Sequence, residues 1–271
     1  DSLAGLYPPA RVAAPTFRTE LDAAIRRNDE ALLRALDSAP QTNEIARAGM
    51  ILPGLLAAAR ELDRPISLAE IGSSAGLNLL FDRFHYDYGG SCWGETTSPV
   101  RLEPEVRGKA PPLDGVVEIV ARNGNDIRPI DCHDPAQRLR LRSYVWPDQQ
   151  ARLQRLDAAI GLAGTTPSSV RQADAADFVD RRLSAREPGT ALVLFHTIMW
   201  QYLPAATKAR IEAALDTAGD AAGPDNPIAR VAMEPIDTSD PHATLSLTVW
   251  PGGERRHLAH CDYHGRWIEW L

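Results

Sequence analysis

Gly72-Ser73-Ser74-Ala75-Gly76 follows Ile66, Leu68, Ala69 and Ile71, an apolar run that suits a strand buried on both faces. Leu77, Leu79, Leu80, Phe81 and Phe84 then recur at helical spacing. Gly72 permits a sharp turn at the strand's end and Gly76 lets the helix start close to a ligand, so backbone N–H groups converge on one point. Such a point binds ligands. Glu70 stands just before the turn, Ser73 and Ser74 place two hydroxyls in it, and Asn78 follows it. Asp126, Asp174, His196 and Glu234 fall near the ends of later apolar runs, where a doubly wound sheet presents its ligand contacts. A histidine at position 196 can remove a proton from an acceptor N–H or O–H, and Glu234 is the next candidate base.

Three chemistries use a glycine turn between a strand and a helix. A dinucleotide site needs G-x-G-x-x-G, and Ser74 stands where its second glycine belongs. The nucleophile elbow G-x-S-x-G matches letter for letter with Ser74 as nucleophile, and Asp237 or Asp240 and then His264 follow in the order a serine hydrolase requires. Only helices precede Ser74, however, whereas a hydrolase of that kind builds several strands first. The third is the S-adenosylmethionine loop, whose E-x-G-x-G-x-G pattern Glu70-Ile71-Gly72-Ser73-Ser74-Ala75-Gly76 resembles with Ser74 in the middle glycine's place.

The elements that must position these residues can be read in order. Residues 1–15, with Pro8, Pro9 and Pro15, read as an irregular arm. An amphipathic helix, or two short ones, runs from Thr16 to about Ala39 and is closed by Pro40. Asn43 caps a second helix through Leu62, kinked near Pro53. Residues 89–114, rich in Pro, Gly and charge, read as an insertion or lid. Strands are expected from Val116, Ser169, Thr190 and Ile228, alternating with helices, and a terminal hairpin from Thr244 and Arg255. The expected fold is α/β, a doubly wound, Rossmann-like sheet over residues 65–271 ending in an antiparallel hairpin, with a helical extension over residues 1–64.

The 271 residues carry 36 acidic and 29 basic side chains, a net charge of −7, which argues against a general nucleic-acid surface. Cys92, Cys132 and Cys261 lie far apart with no C-x-x-C pair, pointing to reduced thiols and a cytoplasmic setting. No apolar run approaches the length of a membrane span. His257, His260, Cys261 and His264 fall on opposite faces of an extended strand, so no metal site is expected there. Arg138, Arg140 and Arg142 read as a solvated charged face.

Across most of its length the chain resembles a bacterial family known only as a domain of unknown function. The resemblance rests on Asn43-Glu44-Ile45-Ala46-Arg47, the Glu70 to Leu79 stretch, Tyr86-Asp87-Tyr88-Gly89-Gly90, Tyr144-Val145-Trp146-Pro147-Asp148-Gln149, Trp200-Gln201-Tyr202-Leu203-Pro204 and His264-Gly265-Arg266-Trp267. It implies a class I methyltransferase-like fold with no reaction attached. On the S-adenosylmethionine reading, Gly72, Ser73, Ser74, Gly76 and Asn78 meet the cofactor and Glu70 anchors the loop or the ammonium. Asp126, with Asp87 as the alternative, takes the ribose hydroxyls, and Asp174 meets the adenine or caps the next helix. The expectation is transfer to a small-molecule acceptor with His196 as base. A non-catalytic binding protein of the same fold and a serine hydrolase remain the alternatives.

Overall fold

The computed structural model describes residues 3–7, 13–36 and 41–271, so Pro8, Pro9 and Pro40 of the sequence reading lie outside the described residues. Among the described residues twelve strands are seen: β1 (Ile66–Ile71), β2 (His85–Asp87), β3 (Cys92–Gly94), β4 (Arg101–Leu102), β5 (Glu105–Gly108), β6 (Ile119–Asp126), β7 (Ser169–Gln172), β8 (Ala191–Thr197), β9 (Ile228–Glu234), β10 (Ala243–Trp250), β11 (Arg255–Cys261) and β12 (Trp267–Trp270). The helices are α1 (Ala14–Arg27), α2 (Asp29–Leu36), α3 (Ala48–Leu62), α4 (Pro135–Ser143), α5 (Gln150–Ala163), α6 (Ala175–Ser184) and α7 (Ala205–Asp220).

Nine strands form one mixed, mostly parallel sheet in the order β5-β12-β11-β10-β9-β8-β1-β6-β7. The strands β7, β6, β1, β8 and β9 are parallel, and β10, β11 and β12 continue the sheet antiparallel. The chain moves outward from β1 through β6 to β7, then returns to the other side of β1 for β8 and β9. Strand order therefore reverses between β1 and β8, which opens a crevice at their carboxyl ends.

Alternating side chains of β1 and β8 feed two cores. Ile66, Leu68, Val193 and Phe195 pack toward α3, while Ala69, Ile71, Leu192 and Leu194 pack toward α6 and α7. Because both faces are covered, apolar side chains point to both sides of these strands, with Ser67 and Glu70 as the polar exceptions in β1. The helix α3 is a core element and not a cap: nearly every residue from Ala48 to Leu62 is buried, and it packs on β9 and β10.

Pro53 inside α3 cannot donate to the carbonyl of Gly49 one turn earlier. The buried Tyr88 hydroxyl donates to that carbonyl at 2.5 Å, so the break in the helix is repaired by the short strand region after β2. Tyr88→Phe is expected to lower stability by about 1–2 kcal/mol, read as a lower urea midpoint at unchanged slope.

Several elements differ from the sequence reading. Residues 77–83 form a 3-10 helix rather than an α-helix, because Gly76 enters it in the left-handed region and Phe84 leaves it after seven residues. Residues 89–114 are not a lid: β3 and β4 pair with β2 in a small sheet, and β5 pairs with β12 at the edge of the large one. The strand expected from Val116 begins at Ile119, opposite Ile66, and Val116 is exposed. Asn43, in left-handed backbone, caps nothing; the Glu44 carboxylate caps the 3-10 turn Ile45–Arg47 through the Ala46 N–H.

Candidate functional site

The turn after β1 needs three left-handed residues in alternation: Gly72 at φ +70°, Ser74 at φ +53° and Gly76 at φ +69°. A methyl group at Gly76 would lie 2.5 Å from Val170 Cγ2, so glycine is required there by space as well as by φ. The turn is fastened to the end of β6. Ser73 N–H donates to the Asn125 carbonyl at 2.8 Å, and Ser74 N–H donates to Asp126 Oδ2 at 2.9 Å. Asp126 Oδ1 accepts from Arg128 N–H at 2.8 Å. Ser74 differs from a glycine in using its side chain: Oγ donates to Gln41 Oε1 at 2.7 Å and accepts from Asn43 Nδ2 at 3.1 Å. These two bonds draw the segment before α3 across the turn.

Between that segment, the turn and the end of β8 lies a cavity of about 220 Å³ at the reversal of strand order. Glu70, Gly72, Ser73, Ser74, Asn78 and Asp126 all line it; Gly76, which the sequence reading sets beside them, does not. Thr197, Ile198, Met199 and Tyr202 form the opposite wall, and Gln41 to Glu44 with Arg47 close the top. Glu70 is 3% exposed, and its Oε2 finds no hydrogen-bond partner; nor does Asn78 Oδ1. Burial, with the nearby Asp126 charge, holds the Glu70 carboxyl well above the usual carboxylate range, and Arg47 offsets part of this. Unpaired buried acceptors of this kind are costly, and a donor-bearing ligand would satisfy them.

The sequence assigns no role to Arg47 or Glu44, yet both are buried at this cavity. Arg47 Nε donates to the Tyr263 carbonyl at 2.9 Å, and burial lowers its pKa. Glu44 pairs with Arg152 at 2.7 Å, which ties the segment to α5. The available signal was an acid and an arginine flanking Ile45-Ala46 directly before an almost wholly apolar helix, where charges survive only if partnered.

His196 and Glu234 are brought together, but behind the wall rather than at the cavity. His196 is fully buried, with Nδ1 2.7 Å from Glu234 Oε1, and Arg230 Nε donates to its Nε2 at 3.1 Å. The ring therefore donates through Nδ1 and accepts through Nε2 as a neutral imidazole, in keeping with the lowering of its pKa by burial. Glu234 Oε1 also accepts from Met199 N–H at 3.1 Å and Trp200 N–H at 3.2 Å. This grip holds the turn in which Ile198, a β-branched residue, sits at φ +50°, a conformation that persists only when its surroundings over-determine it. The two residues line a separate hollow with Trp200, Arg230, Thr244 and Ser246.

Asp174 lies outside both hollows and caps α6, accepting from the Ala176 N–H at 2.8 Å. Asp87 accepts from Gly90 N–H within its own turn at 2.6 Å. The acid–histidine pair proposed for a hydrolase is not assembled: Ser74 Oγ is bonded to Gln41 and Asn43, and Asp237 accepts from Ser239. Among the described residues no helix is long and apolar enough to cross a membrane.

Comparison with curated proteins finds no match. A family profile described as "Uncharacterized protein conserved in bacteria (DUF2332)" matches residues 1–270, and the chain belongs to that family.

Proposed function

We propose that the cavity at the end of β1 binds S-adenosylmethionine and that the protein transfers its methyl group to a small molecule. The observation that carries this reading is the buried Glu70, whose Oε2 has no hydrogen-bond partner, lining the same cavity as Asp126 of the adjacent strand β6, beside the reversal of strand order between β1 and β8. The order of the parallel strands, third-second-first-fourth-fifth, supports a Rossmann-like, methyltransferase-type plan.

The residues present fit the polar parts of the cofactor. Glu70 and Asn78 offer bare acceptors for an ammonium group, and Asp126 keeps lone pairs for ribose hydroxyls beyond the two it gives to backbone N–H groups. The cofactor supplies an electrophilic methyl group when bound. This chain's part is to position it and keep water away, through Met199 against Gly72 and the segment from Gln41 to Glu44 over the top. A cavity of about 220 Å³ is below the roughly 300–1,000 Å³ usual for small-molecule sites, so the Gln41–Ser74–Asn43 bonds must open to admit the whole cofactor.

A second reading is a binding protein of the same fold without transfer. It is favoured by His196, whose Nε2 is already taken by Arg230 and is not offered to an acceptor. Methyl transfer to candidate acceptors separates the two.

Ser74→Gly removes the bonds to Gln41 and Asn43 and restores the residue best suited to φ +53°. The variant is expected to bind S-adenosylhomocysteine as tightly as the parent or up to about tenfold more tightly, because the covering segment no longer has to be released. A collapse of affinity would count against the reading. Should Ser74→Ala instead abolish a hydrolytic activity toward activated esters, the serine hydrolase would take its place.

A further inference from the structure

A larger hollow, of about 350 Å³, lies at the amino ends of the same strands on the α6 side. Ser67 on β1, Asn123 on β6, Arg182 in the last turn of α6, and Arg186 and Glu187 just after it are among the residues that line it. Ser67 is five residues before Gly72, roughly 16 Å along the strand, so this hollow is remote from the glycine turn.

Its charge is out of keeping with an acidic protein. Arg182 donates to Ser67 Oγ at 3.0 Å, and Arg186 donates to the backbone carbonyls of Leu183 and Asn226 at 3.2 and 3.1 Å. Among the described residues neither arginine has a carboxylate within 4.0 Å, whereas fourteen other arginines do. Arg182 Nε is buried with no hydrogen-bond partner. Burial lowers the pKa of both guanidinium groups; at Arg182 the nearby Glu187 charge works against that lowering, and Arg171 on β7 adds a smaller repulsion. Two half-buried cations with no carboxylate in direct contact, Glu187 acting only from a distance, are an unfavourable arrangement for a fold alone. A planar guanidinium with free N–H groups is suited to a bidentate oxyanion.

We propose that this hollow is an anion-binding site in which Arg182 holds the phosphate or carboxylate group of a small molecule, supported by Arg186 and the Asn123 side chain. The site is independent of the S-adenosylmethionine reading.

An arginine in the last turn of α6 also complements the helix dipole, and that purely structural role makes a different forecast. The test titrates the 271-residue protein with inorganic phosphate and, separately, with acetate at constant ionic strength, following the thermal midpoint. The expected result is a saturable rise with one of the two anions, which identifies the group bound. The rise should be absent in Arg182→Met, and without anion that variant should be at least as stable as the parent. A linear rise of equal slope in both proteins, the signature of general salt exclusion, would overturn the proposal. So would no saturable rise with either anion, or an anion-free Arg182→Met clearly less stable than the parent. If Arg182→Met does not fold, Arg182→Lys keeps the charge and loses the planar fork. It should bind the anion about tenfold more weakly, and unchanged binding would overturn the proposal.

Discussion

Glu70→Gln is expected to stabilise the ligand-free protein and to weaken S-adenosylhomocysteine binding about 10- to 100-fold. Both effects follow from one carboxyl group that is buried, has an oxygen without a partner, and lies near Asp126. A hydrogen bond to a charged group contributes roughly 1.5–3 kcal/mol, which sets the loss in affinity. The gain in stability depends on pH. The folded protein holds the Glu70 proton more tightly than the unfolded chain, whose ordinary value is 4.5. Between that value and the higher folded one the native state binds more protons, so the parent's stability falls as pH rises, and above the folded value the penalty stays constant. Glu70→Gln removes this slope. Urea midpoints of the two proteins should therefore diverge as pH rises from about 4.5, with the variant above the parent. Parallel curves would show that Glu70 carries no such burden.

Asp126→Ala should have the largest effect on stability. The carboxylate accepts from Ser74 N–H and Arg128 N–H, and with it gone the glycine turn loses its tie to β6 while Ser74 stays at φ +53°. Two charge-assisted bonds at a half-buried site point to a loss of roughly 2–4 kcal/mol, together with loss of ligand binding. Asp126→Asn, which keeps one acceptor oxygen, should recover part of it. Hydrogen exchange at the Ser74 and Arg128 amides should speed up in Asp126→Ala and little elsewhere. A destabilisation below about 0.5 kcal/mol would mean that the turn is held by other contacts.

The part of the site that local pattern can encode was legible in the sequence. The end of β1 and its turn are marked by an apolar run that stops at Gly72, the carboxylate ending β6 follows the next apolar run by a few polar residues, and Glu70, Gly72, Ser73, Ser74, Asn78 and Asp126 meet in one cavity. Asp174 was legible as a cap because an N-cap is a local signal. Residues 77–83 were not, since over seven residues a 3-10 and an α spacing nearly coincide. The edge pairing of β5 with β12 joins segments about 160 residues apart and leaves no local trace. The position of His196 depends on the strand ending it shares with Ile198, whose left-handed backbone re-aims the chain and which no propensity favours. Gln41 over Ser74 is a contact between two loops, and neither loop announces it.

Isothermal titration calorimetry of the parent protein with S-adenosylhomocysteine, repeated with Glu70→Gln, asks whether the cavity holds the cofactor and whether Glu70 grips it. One binding site is expected in the parent and at least tenfold weaker binding in the variant. No heat of binding at millimolar ligand, or equal affinity in the two proteins, would contradict that expectation.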